Sequence, residues 1–206
     1  MEELAIDVLN SDWHDWRSGG AGVDHLDESA WRRELCLRWR LDPALAANEA
    51  LWQEVRALRQ SLRTAVEHLG VGALEATDLD ALNAVLEGRG WCQHLVAVDG
   101  AYRLGLRAEA VRPGAPGEVA WQTAASFARI LVEGAPARLK RCDNPDCRWV
   151  FYDESRNQSR RWCEAATCGN LMKVRRFRAR QRAQASGHDA PGRSARRGRR
   201  ALGPRA

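Results

Sequence analysis

The sequence predicts a mainly α-helical protein of the α+β class, in which a helical N-terminal domain with one β-hairpin precedes a small module of four cysteines. Three observations lead to this prediction. Apolar residues recur at helical spacing over much of the first 137 residues. A short alternating stretch around Asp99-Gly100 interrupts that spacing. Four of the six cysteines then fall within one window of 27 residues towards the C-terminal end.

Four segments have the apolar spacing of amphipathic helices. They are Trp31 to Leu41, Leu41 to Gly70, Thr77 to Gly88 and Val119 to Gly134. The longest has Asp42 as its candidate N-cap and Pro43 at its first helical position, and Gly70 is placed to end it. Residues 1–30 lack this spacing, so we expect them to be irregular.

Between the third and fourth predicted helices the pattern changes to that of a β-hairpin. His94 to Val98 and Tyr102 to Leu106 alternate in part, and the Asp99-Gly100 pair between them favours a tight turn. Beyond Ala185 there is no apolar periodicity, and we expect disorder there. The predicted domains are therefore a helical domain over 1–137, a cysteine module with a basic helix over 138–185, and a basic tail over 186–206.

Charge divides the chain into an acidic part and a basic part. Residues 138–206 hold 19 Lys and Arg against 6 Asp and Glu, a net charge of +13, whereas the residues before Arg138 have a net charge of −8. A basic end of this kind is typical of binding to a polyanion. No segment has the length and apolarity of a membrane span, and the acidic N-terminus lacks the pattern of a signal peptide. We expect a cytoplasmic protein without a membrane partner.

The clustered cysteines form two C-x4-C pairs separated by fifteen residues, and they are Cys142, Cys147, Cys163 and Cys168. Two such pairs supply four thiolates for tetrahedral zinc at a low cost of loop closure. A strand over 148–153 and a helix from the second pair onward would complete a treble-clef-like zinc finger with four cysteine ligands. We therefore predict one structural Zn²⁺ per chain, and we expect the roughly fifty residues around it to depend on the metal for folding.

Two other interpretations of the four cysteines are disulfides and ordinary buried thiols. A reducing compartment disfavours structural disulfides, and the paired spacing favours a metal over inert thiols. Cys36 and Cys92 are isolated, and we expect each to be a small core residue.

The residues after Gly169 predict a helix that continues to about Ala185. Leu171, Val174 and Phe177 share one arc, which is expected to pack against the cysteine module. A basic helix held by a metal module fits the major groove of DNA or its phosphates. The predicted nucleic-acid contacts are Arg160, Arg161, Lys173, Arg175, Arg176, Arg178, Arg180 and Arg182. A merely solvated face, or RNA binding through stacking on Trp149, Phe151 or Tyr152, stays open.

The segment RLKRCDNPDCRWVFYDESRNQSRRWCEAATCGN resembles the CGNR zinc finger, a family named for the residues at its fourth cysteine. The preceding region resembles the ABATE domain that is usually fused to this finger, through LAIDVLNS, LRQSLRTAVEHL, LDALNAVL and SFARILVEGAPARLKRC. The resemblance implies a bacterial, stress-related transcription regulator whose four cysteines hold zinc. The sequence departs from the family at one position, where Leu171 stands in place of an arginine.

These features together predict a zinc-dependent protein that binds DNA through its basic helix and regulates transcription. The alternative is a zinc-stabilised module that interacts with protein or RNA without sequence-specific DNA binding. No histidine lies in a catalytic motif, and we expect no enzymatic activity. The sequence leaves open a small-molecule effector at the N-terminal domain and the formation of a homodimer.

Overall fold

The computed structural model describes residues 3–13, 22–87, 89–98, 101–111 and 117–187, and it describes only the backbone of 89–98, 101–111 and 185–187. The helices in these residues are α1 (Leu4–Leu9), α2 (Ser29–Arg38), α3 (Glu49–Val71), α4 (Ala76–Glu87), α5 (Glu118–Glu133) and α6 (Asn170–Gly187). The strands are β1 (Asp12–Trp13), β2 (Val23–Asp24), β3 (Arg89–Val98), β4 (Ala101–Val111), β5 (Leu139–Arg141) and β6 (Val150–Tyr152). This content confirms the predicted mainly α-helical class with a β-hairpin and a four-cysteine module.

The chain forms two compact units, residues 1–169 and the segment from Asn170 onward. In the first unit, α1, α3, α4 and α5 pack around one apolar core. Trp52 on α3 and Phe127 on α5 are the largest side chains that this core buries completely. The apolar stripe that predicts α3 faces the core as expected, since Leu51, Val55 and Leu62 are all buried. No helix among the described residues is long and apolar enough to cross a membrane.

The long predicted helix begins later than its first capping signal. Asp42 caps a 3-10 turn over Pro43–Ala47, where its carboxylate accepts a hydrogen bond from the Ala44 amide at 2.8 Å. Asn48 caps α3 instead, by accepting from the Leu51 amide at 3.3 Å. The predicted start is wrong because the chain contains two capping residues in succession and uses both, one for the turn and one for the helix.

The expectation that residues 1–30 are irregular is wrong for α1. This helix buries Leu4, Ala5, Val8 and Leu9 on one face, against α3 and α5. A helix of six residues is too short to be stable in isolation, so tertiary packing stabilises it. A pattern this short does not stand out in a single sequence, which explains why the helix is missed.

The predicted β-hairpin is present and longer than expected. Strands β3 and β4 pair antiparallel from Arg89↔Val111 to Val98↔Ala101, with a shift of register between Gly90 and Trp91. The predicted turn residues Asp99-Gly100 lie outside the described residues, as do residues 112–116 of the predicted loop and residues 188–206 of the predicted tail. The side chain of Cys92 also lies outside the described part of the structure.

The cysteine module is attached to the helical body through a short ribbon that the sequence reveals only in part. Strand β6 lies within the predicted strand, but its partner β5 precedes the first cysteine and is missed. Leu139 on β5 and Val150 on β6 are buried in the main core of the body. The ribbon therefore shares the core of the helical body and does not rely on the metal site alone for its packing.

Asn10, at the end of α1, joins the body to the module by two hydrogen bonds. Its amide nitrogen donates to the Val150 carbonyl at 2.9 Å, and the Val150 amide donates to its side-chain oxygen at 2.8 Å. The side chain thus pairs with the backbone of β6 as a neighbouring strand would.

Candidate metal centre and basic helix

The first cysteine pair lies on a tight turn that a buried asparagine organises. Cys142 directly follows β5, and the Cys147 amide donates to the Asn144 carbonyl at 2.9 Å to close the turn. The Asn144 side chain is completely buried, and its amide nitrogen lies 3.4 Å from the Cys168 sulfur. Asn144 therefore connects the first cysteine pair to the second. The sequence marks it only as a turn residue, because the partner is 24 positions away.

The second pair lies on an irregular turn that continues into a π-helical segment over Ala165–Gly169. The Cys163 amide points at the Cys142 sulfur at 3.5 Å, so the backbone of this turn also supplies a donor to the cluster. Cys168 is buried near the end of the π-helical segment, just before Gly169 and the start of α6. Such segments are rare and occur often at functional sites.

The structure brings the four predicted cysteines together with the geometry of a tetrahedral metal site. All four sulfurs lie within 4.8 Å of one another. The Cys147–Cys163 and Cys163–Cys168 sulfurs are separated by 3.8 Å and 3.7 Å. Four Zn–S bonds of about 2.3 Å in a tetrahedron give sulfur–sulfur edges of about 3.8 Å. The donor set, its size and its soft ligands therefore fit a single metal ion of the zinc type.

A disulfide does not fit these distances. A covalent S–S bond is about 2.05 Å long, well below the separations in the cluster. All four of these cysteines, and also Cys36, have free thiols in the structure, and Cys36 is buried in the body core as expected.

Three of the clustered thiols, those of Cys142, Cys147 and Cys163, affect one another's ionisation. Hydrogen bonds from Cys147 and Cys163 lower the pKa of Cys142 to about 2, so Cys142 holds the first thiolate. The hydrogen bond with Cys142 raises the pKa of Cys147 to about 12. Cys142 and then Cys147 also raise the pKa of Cys163 far above its ordinary value. A cation among the sulfurs would favour ionisation of Cys147 and Cys163 beside the Cys142 thiolate, and metal binding is therefore expected to release protons.

A buried carboxylate fixes the loop between the two cysteine pairs. Asp153 is fully buried and accepts hydrogen bonds from Lys140 Nζ at 2.7 Å, from the Arg160 amide at 3.0 Å, and from the amide and hydroxyl of Ser155 at 3.0 Å and 2.5 Å. Burial alone would raise the pKa of Asp153, but these hydrogen bonds, led by that of Lys140, hold it well below its usual range. Asp153 stays ionised and connects β5 to the loop.

Two of the predicted nucleic-acid contacts have structural partners next to the cysteines. The Arg160 guanidinium donates to the carbonyls of Trp162 and Cys163 and lies over the Phe151 ring at 4.7 Å. Arg161 donates to the Asp143 carboxylate at 2.5 Å. Arg160 thus holds the backbone at the start of the second pair, whereas Arg161 connects the residues before that pair to the turn of the first pair.

The other six predicted contacts all lie on α6. Their side chains are exposed, and they are Lys173, Arg175, Arg176, Arg178, Arg180 and Arg182. The segment Asn170–Gly187 contains no acidic residue. Val174 and Phe177, from the predicted apolar arc, are 44% and 57% exposed. Leu171, at the position of the family's arginine, is half-buried.

The aromatic residues near the module are mostly packed. Phe151 is buried, and the Tyr152 hydroxyl accepts a hydrogen bond from the Ala135 amide at 2.9 Å. Trp149 differs, because 41% of its surface is exposed.

The chain is thus a four-cysteine finger protein with a helical N-terminal domain. A family model described as CGNR zinc finger matches residues 138–181, which include all four cysteines. The ABATE model, described as "Putative stress-induced transcription regulator", matches residues 2–134. Since this match covers more than half of the sequence, the chain belongs to the ABATE family. No curated protein matches the chain significantly.

Proposed function

We propose that this protein is a zinc-dependent transcription regulator that binds DNA through α6 and catalyses no reaction. The observation that carries the proposal is the exposed helix of six cationic residues and no acidic residue, which begins two positions after the last cysteine of the cluster. Both family descriptions agree with such a role.

The donor atoms support zinc as the metal. Four cysteine sulfurs at tetrahedral spacing favour zinc over the oxygen-seeking cations. Bound zinc would supply the positive charge that keeps all four thiolates ionised. Asn144 and the Cys163 amide would then donate hydrogen bonds to the thiolates of Cys168 and Cys142. These N–H···S hydrogen bonds would orient the cysteine ligands and spread the negative charge of their thiolates.

Helix α6 has a length and a charge that suit binding to duplex DNA. Its 18 residues span about 27 Å, which is enough to cross a major groove. Lys173, Arg176 and Arg180 follow one stripe at i, i+3 and i+7, while Arg175, Arg178 and Arg182 follow a second stripe with the same spacing. Contacts from these side chains to phosphates would displace condensed counterions, so affinity should depend steeply on salt.

The test is fluorescence anisotropy of labelled duplex DNA with the zinc-loaded full chain over a range of salt concentrations. The slope of log K against log[salt] should be about −0.9 per phosphate contacted. The variant in which Lys173, Arg176 and Arg180 are all replaced by alanine should bind more weakly and have a shallower slope. Gln181→Ala, an exposed neutral position on the same helix, is the matched control and should behave as the wild type.

Two results would refute parts of the proposal. Metal analysis that finds no zinc in the purified protein would refute the metal part. Absence of duplex binding at low salt, with zinc present, would refute the DNA part and favour the protein- or RNA-interaction module. If wild-type protein binds, selection from a random pool of duplexes would identify its target sequence.

A further inference from the structure

A second site is formed at the junction between the helical body and the finger, on the side of the Asn10 contact. A cavity of about 400 Å³ opens there, within the range of small-molecule sites. Three tryptophans contribute to its lining, and these are Trp13, Trp31 and Trp149. They come from β1, from α2 and from the residue before β6, so the fold assembles the cavity from three distant parts of the sequence.

Each aromatic wall is held in place by its neighbours. Trp31 stacks on His25, with ring centroids 5.8 Å apart and an angle of 12° between the planes. Trp13 is held by the pairing of β1 with Val23 of β2. Trp149 is adjacent to Val150, which the Asn10 side chain fixes by two hydrogen bonds. These contacts hold indole surface open to solvent, since Trp13 and Trp149 are each 41% exposed.

The charged groups of the lining are Asp7 and Arg38. The Asp7 carboxylate accepts hydrogen bonds from the Trp39 indole at 2.8 Å and from Arg38 at 3.2 Å. Arg38 also contacts the Glu34 carboxylate at 3.4 Å. Asp7 and Arg38 thus compensate each other's charge within the lining, and Glu34 lies outside it. The lining therefore offers a cation one carboxylate beside three indoles.

We propose that this cavity binds a small organic cation with a methylated ammonium group. Indole faces attract such cations through the ring quadrupole, and several indoles around one site with a carboxylate nearby form an aromatic cage. A methylated ammonium is favoured over a metal ion because three of the seven described lining residues are tryptophans, which offer no ligand atom, and because the Asp7 carboxylate already accepts hydrogen bonds from Trp39 and Arg38. It is favoured over a bare ammonium because methyl groups make no hydrogen bonds to water, so that a methylated ammonium loses less hydration free energy than a bare one when it contacts apolar walls. The described lining contains no residue of α6, so ligand binding in this cavity does not require DNA binding by that helix.

The experiment follows the indole N–H signals of the zinc-loaded full chain in ¹H–¹⁵N spectra while a ligand is added. The probes are choline and its uncharged carbon isostere, in which a tert-butyl group replaces the trimethylammonium group. Choline should shift the signals of the three cavity tryptophans in a saturable manner. The isostere has the same shape and should bind at least tenfold more weakly, because only the charged ligand gains the cation–π attraction.

Variants connect the binding to the cavity. Trp149→Leu should weaken choline binding at least fivefold, while Trp149→Phe keeps a π face and should retain most of it. Val132→Ala, at an 83% exposed position on α5 outside the cavity, is the matched control and should leave binding unchanged. Equal binding of choline and the isostere would overturn the proposal, as would the absence of saturable shifts or equal binding by Trp149→Leu and wild type.

Discussion

Replacement of Asn10 by alanine tests whether the helical body holds the finger in place. Asn10 is buried at the end of α1, and both ends of its amide are used by Val150 of β6. The Cys142 amide donates to the Trp149 carbonyl at 2.9 Å, so this pair is hydrogen-bonded within the β5–β6 ribbon. In an antiparallel ribbon the next residue, Val150, then directs its polar backbone groups away from β5. Asn10 is the partner on that side.

The magnitude follows from what the substitution leaves behind. The Val150 side chain and backbone lie in the core, and Asn10→Ala would leave one amide and one carbonyl there without their partner. Each buried polar group that loses its hydrogen bond costs about 1–3 kcal/mol. Since Asn10 itself is 9% exposed, water can reach part of the site. We therefore expect the free energy of unfolding to fall by about 2–3 kcal/mol, near the lower end of the summed range.

Two measurements check this value. Denaturant unfolding gives the change in the free energy of unfolding, and native-state hydrogen exchange reports on the Val150 amide directly. A loss of about 2 kcal/mol corresponds to about 30-fold faster exchange of that amide. Asn48→Ala is a matched control, because it removes a cap on α3 at an exposed position and should leave the protection of Val150 unchanged. Neutral surface substitutions change the free energy of unfolding by up to about 0.5 kcal/mol. The reasoning would be refuted if Asn10→Ala stayed within that range of wild type and left the exchange of the Val150 amide unchanged.

Three further predictions concern the metal site and two titrating groups. Cys163→Ser should abolish stoichiometric zinc binding, measured by metal analysis, yet keep most of the far-ultraviolet circular dichroism, because the body has its own core. Asp153 has a lowered pKa, so the stability that its carboxylate contributes is present above about pH 4 and is lost as the pH falls. In urea titrations, Asp153→Asn should therefore unfold more easily than wild type at neutral pH and should lose less stability than wild type in acid. The hydrogen bond with Asp78 raises the pKa of His68. The stability that protonated His68 contributes to the fold is therefore fully present below about pH 6.5 and is lost as the pH rises through the pKa of the folded protein. As the pH rises from about 6.5 through this pKa, the melting temperature of His68→Gln should fall less than that of wild type, as measured by thermal unfolding at several pH values.

The parts that the sequence predicts are those encoded by local spacing. The stripe of Leu51, Val55 and Leu62 identifies the buried face of α3 because residues three and four apart share a face. The two C-x4-C pairs identify the cluster because each pair fits within one turn. Within the helical stripe and within each cysteine pair the informative residues are only a few positions apart, so a single sequence is sufficient to recognise both signals.

The parts that the sequence does not predict depend on long-range contacts. Asn10 and Val150 are 140 positions apart, and nothing near either residue indicates the pairing. The β5 strand has only three residues, so its alternation is too short to recognise before its partner is known. The aromatic cavity has the same origin, since Trp31 and Trp149 line one cavity although they are 118 positions apart in the sequence.

Two sets of basic residues in the described part of residues 138–187 differ in their surroundings. Within residues 1–169, Arg141 and Arg148 flank the first cysteine pair and contact the body carboxylates Glu67 and Asp12, at 2.6 Å and 3.3 Å. Such exposed pairs contribute little stability, about 0–1 kcal/mol each, but they direct these cations towards the acidic body. The net charge of +13 beyond residue 137 therefore overstates what is presented to a polyanion. Because the six cations of α6 have no acidic residue on their own helix, polyanion binding should depend on that helix far more than on the arginines beside the cysteines.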